Sequence, residues 1–238
     1  MDLQDIRKIL TFVLMDKGVQ IYFPIDHYNE LLALCNILQF KKKLGIPEQY
    51  SPGMPIPREV VEITQRNMGD LRPFKKVLGE RDYGPLIVDK FGYTDIPTDF
   101  VYYTSLYYFN TEDKVTSLTD IDVVTDKRWS ERVSHAIEYP DRDYPICNIV
   151  ANKIRFMPKD LRQVLMTYYR WPVTPIYKMA YDFSDYKMEV YDEVNSVQLE
   201  WDDMNIYDII ILMLEFFGIK MTAQDLVQFS DQKIKEGV

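Results

Sequence analysis

The stretch from Tyr144 to Trp201 constrains the possible folds more than any other part of the chain. Its first part, YPICNIVANKIRF, contains two short β-branched and apolar runs on either side of Ala151 and Asn152. A further run, LMTYYRW, ends at Pro172 and Pro175, and proline cannot donate a hydrogen bond within a central strand. The segment VQLEW then leads into a long apolar run. This order predicts one building block made of a β-hairpin, a strand stopped by two prolines, and a helix.

The composition is typical of a folded protein with a substantial core. Of the 238 residues 47% are apolar, 18 are tyrosine and 12 are phenylalanine, whereas only 9 are glycine. Such a mix excludes disordered and collagen-like chains. Aromatic side chains in these numbers favour cores and permanent interfaces, because each ring buries a large area at a low cost in rotamer entropy.

The sequence predicts a soluble protein with no membrane partner. The N-terminal segment MDLQDIRKIL lacks the positively charged region that precedes the apolar part of a secretory signal. The longest apolar run, Ile206–Phe217, contains Asp208 and Glu215 and is shorter than the roughly 20 residues of a membrane span. Cys35 and Cys147 lie far apart, and we expect both to be buried, reduced thiols.

Residue spacing predicts helices near both ends of the chain. Apolar residues at helical intervals indicate a first helix over Leu3–Asp16 and a second helix that follows Pro24, with Asp26 as its cap. The second helix is predicted to bury Leu31, Leu34, Cys35 and Leu38. Further helices are predicted over residues 59–68, 126–137 and 223–235, and from a cap at Asp202 or Asp203 to Gly218.

The middle of the chain is predicted to be rich in β-strands, from the tyrosine-rich run that begins at Phe100 onward. We therefore predict an α+β fold, in which helical N- and C-terminal parts pack together beside a β-rich central region of hairpins. The helical N-terminal part is assigned to residues 1–95, with a proline-rich loop at 45–57. The β-rich part is assigned to residues 96–200 and the C-terminal helices to residues 201–238, within one integrated subunit.

Negative charge is concentrated in one segment. The net charge is −9, and residues 182–215 contain ten carboxylates and one lysine, so the rest of the chain is neutral overall. This segment is either a solvated face or an acidic surface that repels nucleic acid or meets a basic partner. Because no basic stripe is present, sequence-specific binding of nucleic acid is disfavoured.

The sequence contains no recognisable catalytic constellation. His27 and His135 have no neighbours at metal-ligand spacing, and no glycine-rich phosphate loop or nucleophile elbow is present. The adjacent acids at 192–193 and 202–203 lack the pattern of a calcium loop. We therefore predict no catalytic residue, no bound metal and no cofactor.

Two groups of residues are candidates for interfaces. Trp171 follows Arg170 at the end of a predicted strand, and this pair has the composition of an interface anchor, although core packing is the default for tryptophan. The helix that contains IIILMLEFF is apolar on nearly all sides and must be covered on most of them. Burial against neighbouring copies would cover Ile210, Phe216 and Phe217.

Three segments carry a resemblance to a known family. They are TDKRWSERVSHAIEYPDRDYPI, IRFMPKDLRQVLMTYYRWPVTPIY and SVQLEWDDMNIYDIIILMLEFFGIKM, and IDHYNELLALCNILQFKKKLG, DLRPFKKVL and IPTDFVYYTSL extend the likeness over most of the chain. Together they resemble the neck adaptor, or ring, proteins of crAss-like tailed bacteriophages of Bacteroides. The shared patterns concern packing and include no chemical signature.

The resemblance implies a virion protein that is made in the cytoplasm of the host bacterium and acts in the neck or tail. It would form a ring of typically twelve copies below the portal protein and contact other ring or hub proteins. Genomic DNA would pass through the ring without sequence-specific binding. The acidic residues Asp182, Asp185, Glu189, Asp192 and Glu193 would then be candidates for the face of the DNA channel.

Three alternatives to an adaptor are also considered. A tail-hub or tail-completion protein would follow the same ring logic. An uncharacterised soluble phage or bacterial enzyme belongs to a different class, for which no site is visible. A nucleic-acid-binding protein would show salt-dependent affinity for DNA.

Overall fold

The structure, a computed structural model, describes residues 1–17, 24–44, 68–79, 83–112, 115–135, 137–182 and 188–221. Its internal contacts divide the chain into two compact units. We call residues 1–73 and 172–238 the helical unit, and residues 74–171 the β unit. The predicted α+β class is confirmed, because helices lie toward both ends and strands dominate the middle.

The secondary-structure elements are numbered in chain order. The helices are α1 (Leu3–Asp16), α2 (Ile25–Leu44), α3 (Asp126–Ser134) and α4 (Asp203–Phe216), and a 3-10 turn covers Arg72–Phe74. The strands are β1 (Lys75–Leu78), β2 (Leu86–Ile87), β3 (Tyr93–Asp95), β4 (Phe100–Glu112), β5 (Val115–Asp120), β6 (Asp122–Val123), β7 (Ile146–Val150), β8 (Lys153–Met157), β9 (Gln163–Arg170), β10 (Met179–Asp182) and β11 (Met188–Tyr191).

Helix α1 has the predicted bounds and the predicted buried face. The Asp2 carboxylate caps it by accepting the Asp5 N–H at 2.8 Å, which satisfies one of the backbone donors left open at a helix start. Its buried side chains recur at helical intervals and are Leu3, Ile6, Leu10, Val13 and Leu14.

Helix α2 corrects two expectations. It begins at Ile25, so Asp26 lies in its first turn and is not the cap. Its buried face is also rotated from the predicted one, because Leu34 and Leu38 are 44% and 37% exposed. The predicted burial of Cys35 is confirmed, and the other buried residues of this helix include two polar ones and are Tyr28, Leu32, Asn36, Gln39 and Phe40.

The side-chain amide groups of Asn36 and Gln39 donate hydrogen bonds to residues elsewhere in the helical unit, while the Gln39 Oε1 is buried without a hydrogen-bond partner among the described residues. Asn36 accepts the indole N–H of Trp201 at 2.7 Å and donates to the Val173 carbonyl at 3.2 Å. Gln39 donates to Asn205 and Asp208 at 3.2 and 3.1 Å. Because these partners are distant in sequence, hydropathy alone could not identify the buried face.

Helix α4 is largely covered by its own chain. The Asp202 carboxylate caps it by accepting the Asn205 N–H at 3.0 Å. It packs against α1 and α2, as predicted for the N- and C-terminal helices. Five of its apolar side chains are 2% exposed or less: Ile206, Ile209, Ile210, Met213 and Leu214.

The β unit contains two sheets. The first has the order β1-β9-β4-β5, with β2 also paired to β9, and all of these pairs are antiparallel. The second has the order β3-β8-β7-β6, in which only the β6–β7 pair is parallel. The predicted hairpin is β7–β8, and its connecting residue Ala151 has a positive φ of 51°.

Both sheets contribute side chains to one core in the β unit. Val164, Met166 and Leu106 of the first sheet share this core with Ile154 and Phe156 of the second. Helix α3 buries Trp129 in a separate cluster with Val124 and Ile146, and Val133 packs against it. The helix predicted over residues 126–137 is therefore present, although it ends at Ser134.

The boundaries of the two units differ from the sequence-based division at 95 and 200. Residues 74–95 contain three short strands of the β unit, and residues 172–200 belong with the helices. Long-range hydrogen bonds explain the second difference, since Asn29 and Tyr177 exchange two of them, at 2.8 and 3.1 Å. The predicted loop at 45–57 and the helix at 223–235 lie outside the described residues, as does nearly all of the helix at 59–68.

Candidate assembly surface

One side of the five-stranded sheet is exposed and rich in aromatic and aliphatic side chains. Strand residues alternate between the two sides of a sheet, and Leu106, Tyr108, Val164, Met166 and Tyr168 occupy the inner side. We call the other side the outer face. Four of its apolar side chains are 37–76% exposed: Ile87, Tyr102, Tyr107 and Leu118. Three more are partly buried: Val77, Leu165 and Tyr169.

The outer face has the chemistry of a protein-binding surface. Contiguous exposed apolar side chains on a folded chain mark places where another protein binds. Tyrosine suits such a surface, because its ring buries area while its hydroxyl stays hydrogen-bonded. Tyr102 and Tyr169 are paired across adjacent strands, and the Tyr102 ring stacks on that of Tyr103 with centroids 5.3 Å apart.

The predicted anchor pair, Arg170 and Trp171, lies at the end of β9. Trp171 is 41% exposed, and its N–H donates to the Asp99 carbonyl at 2.9 Å. The Arg170 guanidinium donates to the Trp171 carbonyl at 3.2 Å and lies 5.9 Å from the centre of the Phe74 ring. The pair is therefore held at the margin of the β unit, with much of the indole open to a partner.

A polar network fixes the backbone next to Trp171. The Asp99 carboxylate accepts the Tyr168 hydroxyl at 2.7 Å and the Lys76 ammonium at 3.0 Å. Lys76 also lies 4.4 Å from the centre of the Tyr83 ring. Partial burial raises the pKa of Asp99, but the hydrogen bonds from Tyr168 and Lys76 outweigh it, so the net pKa is lowered.

This network is suited to structure and not to proton transfer. Burial raises the pKa of Tyr168 well above its usual range, and the hydrogen bond to Asp99 raises it further. At neutral pH the Tyr168 phenol is thus protonated and the Asp99 carboxylate is charged. A general base needs a pKa near the working pH, and the pKa values of Tyr168 and Asp99 have both been moved away from it.

The three candidates on the apolar helix have different positions. Ile210 is 0% exposed inside the helical unit, which corrects the expectation that it faces a neighbouring copy. Phe216 is 55% exposed at the last residue of α4, and Phe217 is partly buried directly after it. The large apolar side chains that this helix exposes thus lie in its first and last turns, at Met204 (72% exposed) and Phe216, whereas most of its middle is buried.

The predicted acidic channel face is only partly within the described structure. The side chains of Asp182, Asp185 and Glu189 lie outside it. Glu193 is exposed, whereas Asp192 is partly buried and shapes a turn. That these acids face a DNA channel stays a prediction.

Several acids of residues 182–215 hold the fold together. The Asp192 carboxylate accepts the side-chain amide and the backbone N–H of Asn195 at 2.7 and 3.1 Å, and these bonds lower its pKa. Glu200 accepts the Val173 N–H at 2.9 Å, and Asp202 caps α4. Asp203 pairs with the Met1 ammonium at 2.7 Å, and Asp208 accepts a hydrogen bond from Gln39. Much of the negative charge thus has an internal role.

Within the described ranges, no group of three or more His, Cys, Asp or Glu side chains is placed to hold a metal ion. None of the helices described there combines the length and the hydropathy needed to cross a membrane. His27 is exposed on α2, and His135 is the C-cap residue of α3.

No family model matches the chain, and no curated protein matches it either.

Sequence reasoning missed the outer face. The run FVYYTSLYYF has tyrosines at both alternating positions, so its pattern does not show which of them point inward. Two further residues of this face, Lys75 and Val77, lie within residues 1–95, which the sequence assigns to the helical N-terminal part. The signal that was available is the alternation of QVLMTYYR in β9, where every second residue is buried.

Proposed function

We propose that the chain is a virion structural protein, a ring-forming adaptor below the portal that joins head to tail and extends the DNA channel. Its partners would be further copies of itself, the portal protein, and other neck, tail-ring or hub proteins. Its place would be the virion neck or tail. It would act by assembly, without catalysis.

The observation that carries this proposal is the outer face of the sheet. A folded chain that exposes Ile87 at 76%, Leu118 at 60% and Tyr102 at 55% on one surface gains stability when a protein covers them. Trp171 and Phe216 add two more large exposed rings. These features favour an assembly protein over a small soluble enzyme.

The identity of the partners rests on the family resemblance of the sequence. The six segments that resemble neck adaptors extend through both units, from α2 to α4. The net charge of −9 favours weak repulsion of DNA over retention, which suits a channel through which DNA slides. A tail-hub protein would share all of these features except its position in the particle.

Purified virions provide the test. We expect mass spectrometry of gradient-purified particles to find the chain in a fixed ratio to the portal protein. Labelling of the particle with a specific antibody should place it between head and tail, whereas a hub protein would be labelled further down the tail. Presence in infected cells but absence from purified particles would contradict the proposal.

A further inference from the structure

The two edges of the five-stranded sheet are complementary to each other. We propose that β5 of one copy pairs with β1 of the next copy, head to tail, so that the sheet continues from subunit to subunit. The inference rests on the proposed function and deepens it, because it names the contact through which a ring would form.

Strand direction permits this pairing. The strands β1, β9, β4 and β5 lie side by side, and each is antiparallel to its neighbour. After four alternating strands, β1 and β5 run in opposite directions. A second copy's β1 beside β5 therefore continues the antiparallel order. Such a contact joins two different surfaces, and repeated contacts of this kind form a ring when the rotation closes.

Both strands are edges of the sheet in the part of the chain that the structure describes. Strand β5 has the sequence VTSLTD, which contains no lysine and no proline, whereas β1 (KKVL) carries two lysines and is open to pairing only where a partner offers a carboxylate to Lys75. Natural edge strands usually carry such residues, because an unprotected row of N–H and C=O groups recruits another strand. An edge without them is suited to pairing with a partner.

The backbone of β5 offers hydrogen-bonding groups outward at Leu118 and Asp120. The Ile121 N–H donates to the Leu106 carbonyl of β4 at 2.9 Å, in line with the register of the two strands. Odd-numbered residues of β5 thus direct their N–H and C=O groups toward β4. Because these directions alternate along an antiparallel ladder, Leu118 and Asp120 direct theirs away from the sheet.

The same reasoning applies to β1. The Val88 N–H, just after β2, donates to the Arg162 carbonyl at 3.0 Å, so even-numbered residues of β9 direct their backbone groups to the side of β9 that carries β1 and β2. On that side, the even-numbered residues of β9 pair with the even-numbered residues of β1. The odd-numbered residues Lys75 and Val77 therefore direct their N–H and C=O groups out of the sheet.

One register pairs outward backbone groups and opposite charges across the two edges, and it ends at Asp120, because the Asp122 N–H on the same side of the strand donates to the Pro145 carbonyl at 3.1 Å. It places Lys75 opposite Asp120 and Val77 opposite Leu118, so that both are hydrogen-bonded pairs. All four side chains lie on the outer face, so the aromatic and aliphatic surface continues into the next copy. Lys75 and Asp120 are exposed opposite charges, and Leu118, 60% exposed, meets partly buried Val77.

Neighbouring registers lose part of this agreement. A shift by one residue places backbone groups that point out of one copy's sheet opposite groups that point into the other copy's sheet. It also places outer-face side chains of one copy beside inner-face side chains of the other. A shift by two residues keeps the hydrogen bonds but separates Lys75 from Asp120. The charge pair therefore selects one register among those that the backbone allows.

Proline substitution at the edges tests the pairing. Leu118→Pro and Val77→Pro each remove an outward N–H while leaving the bonds to β4 and β9 in place. Leu118→Thr and Val77→Thr are matched controls, because they also remove the native side chain but keep the N–H. Circular dichroism and thermal melting show whether all four variants are folded.

Native mass spectrometry reads out the assembly. We expect the wild type and both threonine variants to form oligomers, and each proline variant alone to remain a single chain. An equimolar mixture of Leu118→Pro and Val77→Pro should form a complex of two chains, because one intact β5 edge and one intact β1 edge are present.

The alternatives give different results. If Val77→Pro still dimerises and the mixture adds nothing, β5 pairs with a second β5 about a two-fold axis, and the head-to-tail contact is wrong. Equal assembly of wild type and proline variants, or a wild type that stays a single chain at all concentrations, also overturns the inference. The virion analysis of the proposed function is independent of these outcomes, so the two can fail separately.

A charge exchange tests the register and does not depend on proline. Lys75→Asp and Asp120→Lys alone should each weaken assembly about threefold to tenfold, because like charges then face each other across the strands. The double variant Lys75→Asp, Asp120→Lys restores opposite charges and should recover assembly. Failure of the double variant to exceed the single variants would contradict the register.

Discussion

At the residue scale, Asn36 shows how this protein buries polar groups. Its amide accepts the Trp201 indole N–H and donates to the Val173 carbonyl, while two leucines on the same helix remain exposed. Asn36→Leu would remove the buried acceptor of the Trp201 indole N–H and the donor to the Val173 carbonyl, so we expect a loss of about 1–3 kcal/mol in the free energy of unfolding. Urea denaturation measures this loss.

Leu34→Ala is the matched control on the same helix. Leu34 is 44% exposed, so its truncation should change the free energy of unfolding by only about 0.5 kcal/mol. The hydropathy pattern alone predicts the opposite order. A larger loss for Leu34→Ala than for Asn36→Leu would show that the buried face of α2 has been misplaced.

The two thiols give a pH prediction. Burial raises the pKa of Cys35 and of Cys147 to about 12. A thiol in the unfolded chain loses its proton near pH 8.5, at about the value of a free cysteine. The unfolded state therefore binds fewer protons than the folded state above that pH, and stability falls as the pH rises from there toward about 12.

We expect the melting temperature to decrease between about pH 8 and pH 9.5. In this range the two thiols lose their protons in the unfolded chain but keep them in the folded chain. Cys147→Ala should make this decrease shallower, because it removes one of the two thiols. Thiol-reactive dye should label neither cysteine in the native protein and both in urea. Rapid labelling of the native protein would contradict the burial.

At the element scale, the hairpin β7–β8 was predictable and one of its residues is strained. Two β-branched runs around Ala151 and Asn152 indicated it, and the structure pairs Val150 with Lys153 across that two-residue connection. Ala151 has a φ of 51°, a left-handed conformation that costs about 1 kcal/mol in residues other than glycine. Local sequence was sufficient to predict the hairpin because β7 and β8 pair with each other across a two-residue connection, whereas their pairing with β6 and β3 is long-range and was not predicted.

Ala151→Gly should therefore stabilise the protein by about 0.5–1 kcal/mol, because the strain that it relieves exceeds the added entropy of the unfolded chain. Thermal and urea unfolding measure the change. Ala151→Val provides the comparison, since a β-branched residue disfavours positive φ, and it should destabilise. Destabilisation by glycine would show that Ala151 does not adopt this conformation.

Helices α1 and α2 show where prediction from sequence ends. The buried face of α1 consists of aliphatic residues only, so its spacing gave the correct bounds and the correct face. The buried face of α2 includes Asn36 and Gln39, whose partners follow more than 130 residues later. A helix whose polar residues are satisfied by distant groups cannot be oriented from its own hydropathy.

At the scale of the whole molecule, the α+β class followed from the order of helical and alternating segments. The division of the chain into units did not follow from the sequence. Strands β1 to β3 are only two to four residues long, so they give a weak signal. Residues 172–200 join the helices through long-range hydrogen bonds such as those between Asn29 and Tyr177. The outer face and the two sheet edges depend on strand order and register. Neither can be read from one sequence.

The net charge gives a prediction for the intact protein. With a charge of −9 and no basic stripe, we expect no tight binding of duplex DNA at physiological salt. Fluorescence anisotropy with a labelled duplex measures this. Tight binding that weakens steeply with added salt would favour a nucleic-acid-binding protein over an adaptor.

The central claim is that this chain functions by assembling into a ring. Native mass spectrometry of the purified wild-type protein over a range of concentrations tests it most directly, because a ring has a discrete mass. We expect one dominant species at a large whole-number multiple of the 28.3 kDa chain, with few open intermediates. A single chain or a dimer at every concentration, with or without the portal protein, would contradict it.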